Sequence, residues 1–277
     1  MKKTLSLILA ILMLVMCLSA CQTKKVSTSY VVLDEALEAE EYGIGFRNED
    51  IALGMAVQTA LEEMIADGAA AEISKKWFGA DILFKDIEYK EDTTIAEDDN
   101  SLQAILDKGT FVLGLDDSFP PMGYRDDNNN IVGFDIDLAT EVCKRLGVEL
   151  VLQPIDWDSK EMELSTGKID CIWNGMTITD ERVETMFIPA AYIANRQVII
   201  VGNNSGIAKK ADLKGKIIGL QKGSSSLEAL ESDPIHAEVK EIVEFADNIS
   251  AFQDLKAGRV EAFVVDEVAG RYIMENN

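Results

Sequence analysis

Apolar positions along this chain follow one of two periods. Leu53, Val57, Leu61 and Ile65 recur at the spacing of one helix face, and Gly68 stands where a C-terminal cap belongs. Ile73 and Trp77 predict a shorter helix ending at Gly79. Ile136, Ala139, Val142, Cys143 and Leu146 line a third helix, with Asp135 as its N-cap. Short apolar runs read as buried strands at 30–33, 42–46, 111–115, 148–152, 169–173, 198–201, 217–220 and 262–265. Helices are expected at 159–164, 226–230 and 249–255. From residue 110 strands and helices alternate, which predicts an α/β fold with largely parallel sheets. Ligands of such folds sit at the C-terminal ends of strands. Residues 85–100 are acidic and poor in apolar side chains, and read as a solvated linker.

The first residues follow a different pattern. Lys2 and Lys3 precede an apolar run from Leu5 to Leu18, too short to span a bilayer comfortably. Leu18-Ser19-Ala20-Cys21 then resembles a bacterial lipoprotein cleavage site. Residues 1–20 are expected to be a signal peptide, Cys21 the lipidated residue, and 21–29 a flexible tether. An ordinary secretory peptide with an incidental cysteine is the alternative. No later stretch approaches membrane length.

The net charge of −23 argues against nucleic acid as a partner and against binding anionic membrane through protein charge. Cys143 and Cys171 read as two buried free thiols, with a disulfide as the alternative in an exported protein. His236 is the single histidine, so no transition-metal site is expected.

Candidate chemistry concentrates where strands end. The run Ile169-Asp170-Cys171-Ile172-Trp173 stops at Asn174-Gly175, and Thr179 followed by Asp180 and Glu181 reads as a helix start. A strand end feeding a helix start presents free backbone N–H groups, and Arg182 adds a planar charged fork. Together they could cradle a carboxylate; the alternative is an Arg182 ion pair with Asp180 or Glu184. Other strand ends carry Gly114-Leu115-Asp116-Asp117-Ser118-Phe119-Pro120-Pro121-Met122, Asp156-Trp157-Asp158, Gly219-Leu220-Gln221-Lys222-Gly223-Ser224-Ser225-Ser226 and Val264-Val265-Asp266-Glu267. Phe119 and Trp157 would by default be core residues, although the first neighbours Pro120-Pro121 and both follow strand ends. Asp266 and Ser225 could each serve only as a helix cap.

These segments, with Gly133-Phe134-Asp135-Ile136-Asp137-Leu138, Gly167-Lys168-Ile169-Asp170 and Ala257-Gly258-Arg259-Val260-Glu261-Ala262-Phe263, together resemble the amino-acid-binding family of bacterial solute-binding proteins. These are the capture subunits of ABC importers, and the resemblance covers nearly all of 30–277. It implies a two-lobed periplasmic-binding-protein-like α/β fold whose lobes, joined by two crossing hinge strands, close on a ligand. By position, Arg182 and Thr177 would hold the ligand's α-carboxylate, with Ser225 as a second-lobe contact, and Asp266 would hold the α-ammonium. Phe119 and Trp157 would sandwich the side chain, Asn174 and Gly175 would offer backbone or amide contacts, and Asp116 would face the side-chain pocket.

The order of segments departs from the family. Residues 30–79, with Tyr42-Gly43-Ile44-Gly45-Phe46-Arg47 and Lys76-Trp77-Phe78-Gly79, look like its C-terminal part, yet stand first. A circular permutation is expected, with a truncated tandem gene as the alternative. The expected division is lobe 1 at 38–190, including a connector at 80–105, and lobe 2 at 191–277 plus 30–37. The function implied is a monomeric, extracytoplasmic lipoprotein, anchored in the cell membrane through its lipid. It would deliver a polar amino acid to an ABC permease and ATPase, without cofactor, metal or catalysis. A dehydratase-like enzyme on the same fold and a ligand-sensing domain are the alternatives. Neither a Ser–His–Asp nor a Cys–His set, nor a phosphate-binding loop, is legible in the chain.

Overall fold

The structure, a computed structural model, describes residues 29–276. The expected signal peptide, Cys21 and residues 22–28 of the tether lie outside the described residues. Twelve strands are described: β1 (Tyr30–Val32), β2 (Ala39–Gly45), β3 (Thr110–Leu115), β4 (Ser118–Phe119), β5 (Gly123–Arg125), β6 (Ile131–Val132), β7 (Glu149–Pro154), β8 (Cys171–Thr177), β9 (Ala191–Gly202), β10 (Ile217–Gln221), β11 (Glu241–Phe245) and β12 (Ala262–Asp266). Around them lie helices α1 (Ile51–Asp67), α2 (Ala69–Phe78), α3 (Ser101–Lys108), α4 (Phe134–Leu146), α5 (Lys160–Ser165), α6 (Asp180–Thr185), α7 (Ser225–Glu231), α8 (Asn248–Lys256) and α9 (Glu267–Asn276).

Nine strands join in the order β11-β10-β12-β9-β2-β8-β3-β7, with β1 also on β9. The outer strands of each half are parallel, as the alternation predicts: β7-β3-β8 on one side and β11-β10-β12 on the other. The centre is antiparallel. β9 pairs through Ala191–Arg196 with β2 and through Gln197–Val201 with β12, so one twelve-residue strand runs from one lobe into the other. The hydrophobic run at 198–201 revealed only its second half. The first half is buried at Ala191, Tyr192 and Ile193 and then turns outward through Ala194, Asn195 and Arg196. Residues 30–45 lie antiparallel along the same strand: β1 against Ile200–Gly202 and β2 against Ala191–Arg196. Leu33 N–H and Leu37 N–H donate to the Ile199 and Gln197 carbonyls between them. Two antiparallel strands therefore connect the lobes.

The expected helical stripe in α1 buries Leu53, Val57 and Leu61 completely, while Ile65 is only partly covered. Gly68 ends the helix with a left-handed cap. This face packs on α3 and α4 of the first lobe, and Gly54 sits against the Phe187 ring.

The structure corrects some of these expectations and decides some of the open alternatives. Asp135 is not the N-cap of α4; Gly133 is, and Asp135 lies inside the first turn with no exposed surface. Its carboxylate accepts hydrogen bonds from Gly175 N–H (2.7 Å) and Tyr192 OH (2.9 Å). Ser225 is likewise not a cap, because Ser224 takes that role. The 85–100 segment is not a free linker. Phe84 N–H and Lys90 N–H donate to the Tyr192 and Pro189 carbonyls, and the Glu91 carboxylate accepts from Ile188 N–H. Backbone pairing along a strand start needs no apolar spacing, so the pattern could not announce it. Residues 101–105 of the expected connector open α3, in which Ile105 is buried. Cys143 and Cys171 are both free and buried, and burial pushes the Cys143 thiol up to about 12.

Candidate functional site

Between the lobes lies a cavity lined by Asp116, Phe119, Trp157, Asn174, Gly175, Thr177, Arg182, Gln221, Ser224, Ser225 and Asp266. All nine candidates legible in the sequence reach it. They follow the strands: Asp116 and Phe119 after β3, Trp157 after β7, Asn174 to Thr177 in β8 with Arg182 in the following α6, Ser225 at the start of α7 after β10, and Asp266 closing β12.

The cationic end is built from the β8–α6 connection. Thr179 caps α6, its hydroxyl accepting from Arg182 N–H at 3.3 Å. The Arg182 side chain turns inward, and its two terminal nitrogens donate to the carbonyls of Thr177 (2.7 Å) and Gly223 (3.3 Å). Arg182 has no ion pair with Asp180 or Glu184 among the described residues, so the competing reading of a surface pair does not hold. Burial pulls the guanidinium down from its usual value, although the group stays charged. Its partners are neutral dipoles, and the charge itself faces no anion in contact.

Lys160 completes this end, and the sequence reading missed it. It is 3% exposed. Its ammonium donates to the Gly223 carbonyl (2.8 Å) and the Trp157 carbonyl (3.3 Å), pairs with Glu161 (2.9 Å), and lies 5.1 Å from the Trp157 ring centroid. Burial and the Arg182 charge lower its pKa. Two cations of the first lobe thus hold one carbonyl of the second. Nothing in the 159–164 helix pattern marks this lysine as buried, because its partner carbonyl arrives from residue 223.

The opposite end is acidic. Asp266 Oδ1 accepts from Tyr42 OH (2.7 Å) and Asn195 Nδ2 (2.9 Å). Behind it Glu40 Oε1 accepts from Asn195 Nδ2 (2.5 Å) and Gln197 Nε2 (2.9 Å). Asp266 is thus no mere helix cap.

The third side is amide-rich. Asp116 Oδ2 accepts from Gln221 Nε2 (2.7 Å), and Gln221 Oε1 accepts from Asn248 Nδ2 (2.7 Å). Burial raises the Asp116 pKa, opposed by hydrogen bonds from Ser118 and Gln221. Gln221 is a second missed residue; its signal was its place as the last residue of a buried strand. Asn174 Oδ1 accepts from Asp116 N–H (3.0 Å), tying two cavity walls together. Gly175 has φ +57, and a Cβ there would lie 2.8 Å from the Phe119 ring and 3.0 Å from the Tyr42 ring, so only glycine fits.

At the rim the lobes touch directly. Lys222 pairs with Asp158 (2.8 Å), and the Tyr124 and Tyr272 hydroxyls are 2.9 Å apart. The cleft is closed.

Opposite charges thus stand at two ends of a cavity between two α/β lobes. Residues 111–248 match the bacterial extracellular solute-binding proteins, family 3, and the chain belongs to that family. It is 33% identical over 174 residues to the L-cystine-binding protein TcyJ of Escherichia coli (strain K12). The match covers 62% of this chain and 64% of that protein, and so spans just under two thirds of the curated relative's length. Among solved structures, the arginine-bound form of truncated ArgBP from T. maritima is 38% identical with a TM-score of 0.59, covering 63% of this chain and 82% of that one. An ancestral amino-acid-binding protein, described as a precursor of cyclohexadienyl dehydratase, is 33% identical with a TM-score of 0.54, covering 62% and 77%.

Proposed function

We propose that this chain is an extracytoplasmic lipoprotein that captures a polar amino acid between its lobes and delivers it to an ABC permease and ATPase. One observation carries the reading: Arg182 and Asp266 stand at opposite ends of one buried cavity, each held only by neutral dipoles. A zwitterion supplies the missing charge to both ends, and charge-assisted hydrogen bonds are the strong ones. In this reading Arg182, Thr177 and Ser225 bind the α-carboxylate and Asp266 the α-ammonium. Phe119 and Trp157 enclose the side chain, Asn174 and Gly175 contribute amide contacts, and Asp116 faces the far end. A thermal-shift screen of the twenty amino acids and cystine, followed by calorimetry of the hits, tests it; no stabilisation by any of them would sink it. An enzymatic reading draws on the dehydratase-precursor relative, but a buried aspartate beside amides offers no evident proton relay. A steady-state dehydratase assay on cyclohexadienyl substrates would separate the two.

The lobes in this reading are 38–190 and 191–277 plus 30–37. We infer that the chain is circularly permuted, with residues 30–79 supplying the hinge strand and helices that follow the matched region in the family. Support comes from the pairing of β1 and β2 along the whole of β9. A 100–277 fragment that melts cooperatively and still binds would refute the permutation. The Leu18-Ser19-Ala20-Cys21 site supports lipid anchoring. Cys21→Ser should then move the protein to the soluble fraction, because acyl chains supply the membrane affinity.

A further inference from the structure

Glu40 is the least expected residue beside the cleft. It sits on the hinge strand β2, in neither lobe's parallel sheet, and reaches behind Ser225, Thr177 and Asp266. Its Oε1 and Asp266 Oδ1 accept from the same Asn195 amide, at 2.5 and 2.9 Å. Its Oε2 is 3.2 Å from Ser225 Oγ. Two carboxylates therefore share one donor, with Asp266 buried and Glu40 partly exposed beside it.

The groups facing this pair do not compensate it. From β9 come Asn195 and Gln197; Arg196 between them turns outward onto Glu267. From β2 comes Tyr42, while Glu41 pairs with Lys90 outside. β8 offers Thr177, and α7 offers Ser225 and the acidic Glu228. Glu38 and Asp180 line the neighbouring hollow with Glu40. Arg182 is committed to the carbonyls of Thr177 and Gly223. No ion pair among the described residues reaches either carboxylate. Like charges this close in low dielectric cannot both ionise readily. Burial first, and the Asp266 charge second, accordingly push the Glu40 carboxyl well up.

We propose that Glu40 is the second carboxylate of the ammonium end, and that capture of an amino acid expels one proton from the Glu40–Asp266 pair. The empty cleft holds the proton between the two carboxylates. When the α-ammonium arrives at Asp266 it brings the missing positive charge, keeps its own three protons, and the carboxyl proton leaves to solvent. Glu40 acts through Asp266 and Ser225, and is a positioning residue. The inference rests on the amino-acid reading above. By linkage, the state that binds fewer protons gains with pH, so affinity rises as pH rises.

Calorimetry of the full chain with L-arginine, L-histidine and L-cystine, in phosphate and in Tris, reads the proton count. Wild type should release about one proton per molecule bound, and its affinity should rise by up to about ten-fold per pH unit between about pH 6 and pH 8. Glu40→Gln should still bind, release almost none, and show a flat profile. Equal proton counts in the two proteins would overturn the proposal. A second readout needs no ligand. Infrared spectra of the unliganded protein at neutral pH should contain a protonated-carboxyl band that Glu40→Gln removes and Asp266→Asn weakens; a spectrum unchanged by both substitutions would also overturn it. If no amino acid binds, the capture reading fails, and the infrared band still decides the state of the pair.

Discussion

The two ends of the cleft solve the same problem with different chemistry. At one end Arg182 carries a permanent charge, held by the Thr177 and Gly223 carbonyls and backed by Lys160. At the other, the carboxylates of Asp266 and Glu40 share the Asn195 amide as a donor. The cationic end also spans the lobes, since Gly223 belongs to the second lobe and both cations to the first. The acidic end sits at the hinge, where β2, β9 and β12 meet. An end built across the gap must report closure, whereas one built at the hinge is assembled before closure. The comparison teaches that charge sign alone does not describe the site; what each charge is anchored to decides its part.

The largest effect should come from deleting the permanent charge. Arg182→Ala should lower affinity by about 2–5 kcal/mol, because it leaves a buried carboxylate without its partner. Calorimetry of the mutant, with an unchanged melting profile in the absence of ligand, measures this. Wild-type affinity would erase the distinction between the ends.

Closure comes next. Gly223 has φ +70, and a Cβ there would lie 2.8 Å from the Asp158 Cα across the cleft. Gly223→Ala should hold the lobes apart and cost about 1–3 kcal/mol of affinity, through strain and the clash. Small-angle scattering should then report a more extended liganded state, while an equivalent change at the hinge end would leave closure intact.

Beneath the floor of the cleft, Asp135 sharpens the contrast between titratable and permanent groups. Burial raises its carboxyl to about 7 despite the donors Tyr192 and Gly175. In the unfolded chain it titrates near about 4. Between those values the native state holds a proton that the unfolded chain has lost, so this group's contribution to stability declines as pH rises from about 4 to 7 and is lost above. Denaturation of wild type and Asp135→Asn across that window should differ in slope, by about 3–4 kcal/mol end to end. Parallel profiles would contradict the shift.

The smallest effect is expected at the rim. Lys222 and Asp158 are about half exposed, and such pairs are screened by salt. Lys222→Ala should speed dissociation by about two-fold at low salt and not at all at high salt, as read by stopped-flow fluorescence.

Much of this site was legible because strand ends announce themselves. Asn174-Gly175 after an apolar run, Thr179 before two acids, and Ser224-Ser225-Ser226 after Gly223 are local signals, written within a few residues of the groups they position. Lys160 and Glu40 left no such trace, and Gln221 left only its place at a strand end. Each is defined by a partner at least 60 residues away: Gly223 for Lys160, Asp116 for Gln221, Asp266 for Glu40. Asp135 was misread for the same reason, as an acid before a helix fits a cap equally well until Tyr192 and Gly175 arrive. The local pattern already offered Arg182 as a carboxylate cradle; the resemblance added the role of Asp266, which no local pattern contains.

By itself, then, the sequence determined the helical stripes, the parallel strands of each half and the residues at their ends, because hydrophobic period and turn chemistry act over a few residues. Only the tertiary structure decided that residues 30–45 run along β9, that the 85–100 segment is pinned rather than free, and that Glu40 meets Asp266. Those outcomes depend on which backbone groups find partners far along the chain, and on charges brought together in low dielectric, where a neighbour 226 residues away outweighs the residues beside it.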